Sequence, residues 1–190
     1  MPDAQAAKEA VDYLEQCMKE KNSAGGIIEC RITGVLAGLG DPVFEKLDGN
    51  LAKAMFSIGA VKGFEIGSGM RAAMATGVSN NASFILRADG NVGKKTNHAG
   101  GILGGISDGS DIVMRAAFKP TPSIGQPQRT VNQKGEETVV EIKGRHDPII
   151  VPRAVVVVEA MAALTAADML LLSMTSRLDR VQAFFAQDRV

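Results

Sequence analysis

Asp89-Gly90 sits between two β-patterned runs, Ser83 to Arg87 and Val92 to Thr96, and constrains this chain more than any other dipeptide. A two-residue Asp-Gly link favours the turn whose twist matches paired strands, so the middle of the chain is committed to antiparallel pairing. Lys134-Gly135 marks a second hairpin that returns into Thr138 to Ile142. Further strands are expected at Ile27 to Val35, where Ile28, Cys30 and Ile32 alternate with Glu29, Arg31 and Thr33, and at Val61 to Ile66 and Ile112 to Phe118. Helical periodicity lies towards the ends. One helix is expected from Pro2-Asp3 to about Lys21, with Ala7, Ala10, Val11, Leu14, Cys17 and Met18 on one stripe. Another runs from Pro152 to about Ser176, followed by a short amphipathic run from Arg177 to Gln187. Gly38 to Pro42 reads as a turn, with Asp41 as the N-cap of a helix that places Phe44, Leu47, Leu51, Met55 and Ile58 on one face and stops at Gly59. Gly67-Ser68-Gly69 then leads into a brief helical run through Ala75. Hairpin-linked strands with the longest helices at the two ends define an α+β class, an antiparallel sheet packed on long helices rather than a doubly wound parallel sheet. No repeat or low-complexity linker interrupts the 190 residues, which are expected to form a single domain.

Charge excludes some partners. Lys+Arg and Asp+Glu both number 21, so no basic field draws the chain to nucleic acid or to an acidic membrane surface. With no Trp and one Tyr, base-stacking surfaces are also scarce, and no nucleic-acid role is expected. Cys17 and Cys30 are too few for a disulfide scaffold or a structural zinc site and read as reduced core thiols of a cytoplasmic protein. Met1-Pro2-Asp3-Ala4 lacks the basic and apolar regions of a signal peptide. The apolar segment Ile149 to Met174 is long enough to span a bilayer, but it carries Pro152, Arg153, Glu159 and Asp168. It is expected to be a buried or subunit-packing helix, with no membrane involved.

Chemistry concentrates between Asn97 and Arg153. Gly100-Gly101 and Gly104-Gly105 let main-chain N–H groups approach a ligand closely, or simply form turns. They match neither the dinucleotide-binding spacing nor a phosphate loop with its lysine. The strand after them delivers Lys119 into Pro120-Thr121-Pro122-Ser123. The prolines remove backbone freedom, so the two hydroxyls are offered at low entropic cost. Such a loop suits a phosphate or a ribityl chain, and it equally makes a rigid surface connector. Arg145-His146-Asp147-Pro148 is the most specific element. Arg145 can grip a carboxylate or phosphate bidentately, and Asp147 suits a hydrogen-bond acceptor or proton shuttle. The same tetrapeptide also serves as a salt-bridged lead-in to the long helix. His98 reads as a structural donor or a catalytic group, and no metal-ligand spacing accompanies it.

These motifs, with Ala37-Gly38-Leu39-Gly40-Asp41-Pro42-Val43-Phe44 and Ser57-Ile58-Gly59-Ala60-Val61-Lys62-Gly63-Phe64-Glu65-Ile66-Gly67, make the chain resemble the carboxy-terminal half of chorismate synthases from about Pro2 to Leu172. The resemblance implies a β-α-β sandwich and a lyase. That lyase eliminates phosphate and a C6 hydrogen from 5-enolpyruvylshikimate 3-phosphate to give chorismate, using reduced FMN, with NADPH as a flavin reductant in some members. It also implies a homotetramer. Carried over residue by residue, it assigns FMN binding to Gly59, Ala60, Gly104, Lys119, Pro120, Thr121, Pro122, Ser123 and Arg145, and catalysis to Asp147 near flavin N5. The family usually has Asn at the position of Gly59, often Ser at that of Pro122 and often Cys at that of Ile149. The family's amino-terminal half, with its arginine cluster, two catalytic histidines and an Arg-Ser-Ser segment, is absent from these residues. With only Lys119, Arg145 and Arg129 near the motifs, the 190 residues alone are expected to be inactive. The alternative is a flavin-binding or oligomerising module without enzymatic activity.

Overall fold

A computed structural model describes residues 1, 3–86, 88, 90, 92–144 and 146–187. Its centre is the strand β7 (Ile112–Phe118), whose residues alternate in burial, with Ile112, Met114, Ala116 and Phe118 all facing the core. That alternation follows from the period-2 geometry of a strand with one apolar face. β7 pairs antiparallel with β1 (Gly26–Ile32) on one side and β2 (Val61–Ile66) on the other. The outer sheet face carries charges instead, including the Arg115–Glu29 ion pair at 2.9 Å.

Helices α2 (Leu47–Phe56) and α4 (Val151–Ser173) cover the apolar face and pack on each other. Leu47, Leu51 and Met55 of α2 and Ala154, Val158, Ala162 and Met169 of α4 are buried in one cluster with Ile28, Ile112 and Met114. α1 (Ala4–Lys19) begins where the Asp3 carboxylate accepts the Ala6 N–H at 2.7 Å, a side-chain N-cap. Three hairpins complete the chain: β3 (Phe84–Leu86) with β4 (Val92–Lys94), β5 (Ile102–Leu103) with β6 (Ile106–Ser107), and β8 (Gln128–Val131) with β9 (Glu137–Val140). A short 3-10 turn (Gly69–Met74), a single helical turn α3 (Gly77–Asn80) and a terminal helix α5 (Leu178–Gln187) fill the rest. The α+β class with antiparallel pairing is therefore what the chain adopts.

Two expectations need correction. Asp41 does not cap α2, which starts six residues later behind Lys46 with no side-chain cap. The Leu47 N–H instead donates to the carbonyl of Gly105 at 2.8 Å, so a hairpin turn satisfies the helix end. Phe44 consequently lies outside the helix and is 88% exposed. The second concerns only the buried reading of α4: the helix is buried along one side and exposed along the other, the exposure that the subunit-packing alternative requires. Val156, Leu164 and Leu171 are each more than 60% exposed, so a long apolar face stands without cover. The helix has the length and composition to cross a membrane, yet it packs against α2 and β1 of this fold.

Candidate functional site

Two stretches distant in sequence meet at the end of the central strand. The N–H of Lys119, the residue after β7, donates to the carbonyl of Ala60 at 2.9 Å. Ala60 occupies the corner between α2 and β2 with φ of 71°. A non-glycine residue in the left-handed region is held against its preference, by about 1–2 kcal/mol. Such strain collects where ligands bind. Beside it, a Cβ built on Gly59 would meet nothing within 4 Å. Gly59, Ala60 and Lys119 are thus brought together as one exposed corner.

The Pro120–Ser123 loop runs from that corner into a cleft of about 660 Å³ lined by Thr121, Ser123, His146, Asp147, Ile150 and Arg153. The loop is pinned at its base, since the Ser23 hydroxyl donates to the Thr121 carbonyl at 2.6 Å and the Ile124 N–H to the Pro122 carbonyl at 3.0 Å. The hydroxyl of Thr121 is buried with no hydrogen-bond partner among the described residues. An unpaired buried hydroxyl costs about 1–3 kcal/mol, which a ligand oxygen or phosphate recovers. Ser123 and Asp147, expected from sequence to act at one site, do share this cleft.

Asp147 is held in the salt-bridged lead-in to the long helix that its tetrapeptide equally allows. Its Oδ2 accepts from Arg153 Nη1 at 2.5 Å. Arg145, assigned to the site, lies outside the described residues. His146 uses Nε2 to donate to the Ile142 carbonyl at 3.0 Å, and the Pro148 carbonyl accepts the Ala24 N–H at 2.7 Å. The segment is anchored to the stretch just before β1 on one side and to α4 on the other. Sequence reasoning used Arg153 only as a charge opposed to membrane burial. The signal for its role was the pair of prolines, Pro148 and Pro152, which fix the backbone between acid and base.

Gly104 is not in this cleft. With Gly105 it forms the two-residue turn of the β5–β6 hairpin, both with positive φ (61° and 89°). This turn abuts the N-terminal end of α2, whereas Ala60 follows its C-terminal end. Ten helical residues place these features about 15 Å apart at 1.5 Å per residue. The N–H groups of Gly100 and Gly101 donate to the Asn97 carbonyl and the Asn97 Oδ1, at 3.0 and 2.8 Å, and so serve the fold. His98 Nδ1 lies 3.2 Å from the Ser68 hydroxyl, which gives it a structural partner.

A three-stranded antiparallel sheet under two helices, with a proline-stiffened loop facing a carboxylate at the foot of the longest helix, defines an α+β protein with a polar cleft. Comparison with known proteins narrows the class. The chorismate synthase family model matches residues 1–171, and the chain belongs to that family. It is 63% identical over 185 residues to the chorismate synthase of Agathobacter rectalis and 64% identical over 185 residues to that of Lachnoclostridium phytofermentans, in each case across 97% of this chain. A crystal structure of a chorismate synthase superposes with a TM-score of 0.74 at 30% identity, covering 98% of this chain and 49% of that one. The chain spans 50% of the length of the curated relatives named here.

Proposed function

We propose that this chain is the carboxy-terminal half of a chorismate synthase, forming one domain that works only with the amino-terminal half. The reaction is the elimination of phosphate from 5-enolpyruvylshikimate 3-phosphate to give chorismate. The observation that carries the reading is the unpartnered Thr121 hydroxyl in a cleft that also holds Ser123 and Asp147. Those residues fit reduced FMN. Lys119 offers a charge for the flavin phosphate, Thr121 and Ser123 offer hydroxyls to the phosphate or ribityl chain, and Pro120 and Pro122 keep them in place. Gly59 and Ala60 present backbone without bulky side chains beside Lys119, Gly104 does so only at the far end of α2, and Arg145 adds a second cation. Asp147 is assigned as the acceptor that assists proton removal at flavin N5.

Reduced FMN, when bound, supplies reversible electron donation to the substrate as phosphate departs. This chain's part is to place the flavin and to hold a proton acceptor near it. The substrate's several negative charges require paired cations once they leave water. With Lys+Arg and Asp+Glu at 21 each, this chain has no surplus for them. The uncovered apolar face of α4 also supports a requirement for further protein. NADPH as flavin reductant, a homotetrameric assembly and a cytoplasmic location complete the proposal.

The test is complementation. This chain is mixed anaerobically with reduced FMN, substrate and the separately produced amino-terminal half of the Agathobacter rectalis relative. Chorismate is expected only when both pieces are present. Turnover by this chain alone contradicts the proposal, and flavin binding without any complementation favours a non-enzymatic, flavin-binding or oligomerising module.

A further inference from the structure

We infer that Arg153 is a positioning residue for Asp147, fixing the carboxylate in the orientation from which it accepts a proton. This rests on the reading of Asp147 as that acceptor.

Stability does not account for Arg153. It is the third residue of α4, in the first turn of a 23-residue helix. There a cation is opposed by the positive end of the helix dipole, a penalty of about 0.3–1 kcal/mol. Its ion pair with Asp147 offers little return, because the two side chains are 77% and 41% exposed. Exposed pairs contribute about 1 kcal/mol at most. A residue that serves the helix would be neutral or acidic at this place.

The geometry around the pair is built to hold one arrangement. The backbone before Asp147 is tied by His146 Nε2 to the Ile142 carbonyl at 3.0 Å. The backbone after it is tied by the Pro148 carbonyl to the Ala24 N–H at 2.7 Å. The Ile150 carbonyl accepts the N–H groups of Arg153 and Ala154 at 3.0 and 3.1 Å, which starts the helix. Pro148 and Pro152, both between Asp147 and Arg153, remove φ freedom from the connecting backbone. The main chain is therefore set, and the remaining freedom is in the Asp147 side-chain torsions. The 2.5 Å contact from Arg153 Nη1 to Asp147 Oδ2 biases it towards one orientation. Both side chains line the same cleft as Thr121 and Ser123, so the fixed carboxylate belongs to the ligand site. A planar guanidinium supplies direction as well as charge, which a lysine ammonium does not.

Two measurements test this. First, isotope-labelled arginine NMR of this chain should show restricted guanidinium rotation for Arg153, abolished by Asp147→Asn. Free rotation in the unsubstituted chain overturns the inference without reference to activity. Second, the amino-terminal half of the Agathobacter rectalis relative is fused to this chain and assayed as the unsubstituted form, Arg153→Met and Arg153→Lys. Arg153→Met is expected to lower kcat by about 10²-fold, the usual consequence of a misplaced catalytic group, while KM is retained. Arg153→Lys recovers part of kcat because charge returns without the planar fork. An active fusion whose Arg153→Met form keeps full kcat overturns this inference and leaves the function standing. A fusion inactive in its unsubstituted form removes the function, and the inference with it.

Discussion

Lys119 and Ala60 are joined by a 2.9 Å backbone hydrogen bond, so the strand that carries the cation and the corner that follows α2 form one surface. The adjacent Gly59 has open space where a side chain would project. The resemblance to chorismate synthases implies Asn here in most members, and the structure has room for it. Gly59→Asn in the fused enzyme is expected to leave the unfolding midpoint unchanged within error and to tighten reduced FMN binding by roughly threefold to tenfold, the equivalent of one added hydrogen bond. Thermal unfolding reads the first arm and anaerobic flavin titration the second. A loss of stability shows that the space at Gly59 is not open in solution.

Thr121 gives the converse experiment. Its buried hydroxyl has no partner among the described residues, so Thr121→Val replaces an unpaired polar group by an isosteric apolar one. The ligand-free protein is expected to be as stable or more stable, because a desolvated hydroxyl no longer goes unpaired. Reduced FMN affinity is expected to fall by about threefold to tenfold, the same single-hydrogen-bond scale. Stability and affinity falling together in urea and flavin titrations indicate a structural hydroxyl instead.

Lys94 and Asp108 tie β4 to the segment after β6 as an ion pair with side chains only 7% and 11% exposed. Burial pushes the Asp108 carboxyl up, but its hydrogen bonds with Lys94 and Ser110 and the Lys94 charge outweigh that and hold it below the ordinary carboxylate value. A carboxyl lowered by folding stabilises the fold above its unfolded value of about 3.9. That contribution is lost as pH falls through the lower folded-state value. Asp108→Asn leaves Lys94 buried without a counter-charge and is expected to cost about 3–5 kcal/mol. Urea unfolding of both forms should give a constant difference from pH 5 to 7 that narrows below about pH 4. A difference that widens on acidification contradicts the assignment.

Gly67 and Gly100, at the Ile112 end of β7 and away from the cleft, show how two glycines serve the backbone. A Cβ on Gly100 would lie 2.4 Å from the Gly67 amide nitrogen, and φ at Gly100 is 64°. Gly135, in the β8–β9 turn, also has positive φ (81°) but nothing within 4 Å of a built Cβ. Gly135→Ala is expected to lose only the left-handed preference, about 1–2 kcal/mol. Gly100→Ala must also displace backbone, so its loss should be clearly larger in parallel denaturant titrations. Equal losses mean that the close approach is absent.

Much of this arrangement was legible in the sequence, and the reasons differ by element. Val61–Ile66 and Ile112–Phe118 match their expected bounds because Val, Ile or Phe marks each end and Gly67 or Lys119-Pro120 closes the run. The β3–β4 hairpin follows from its Asp-Gly link, although Asp89 itself lies outside the described residues. The β5–β6 hairpin was not recognised, since strands of two residues carry no alternation and Gly104-Gly105 also reads as a ligand loop. The start of α2 was placed too early, because the Gly105 carbonyl, 58 residues further along the chain, satisfies its end and no local cap marks it. At the site, the Lys119–Ser123 loop and Asp147 were legible as motifs. The Asp147–Arg153 pair was not, because it depends on how the backbone bends between two prolines.

The most direct measurement is anaerobic chorismate formation by this chain fused to the amino-terminal half of the Agathobacter rectalis relative, with reduced FMN and 5-enolpyruvylshikimate 3-phosphate. The account predicts turnover by the fusion, none by this chain alone, and a loss of at least about 10²-fold in kcat for Asp147→Asn, the scale of a removed general base. A fusion that folds and binds reduced FMN yet forms no chorismate, while the intact relative does so under the same conditions, contradicts it.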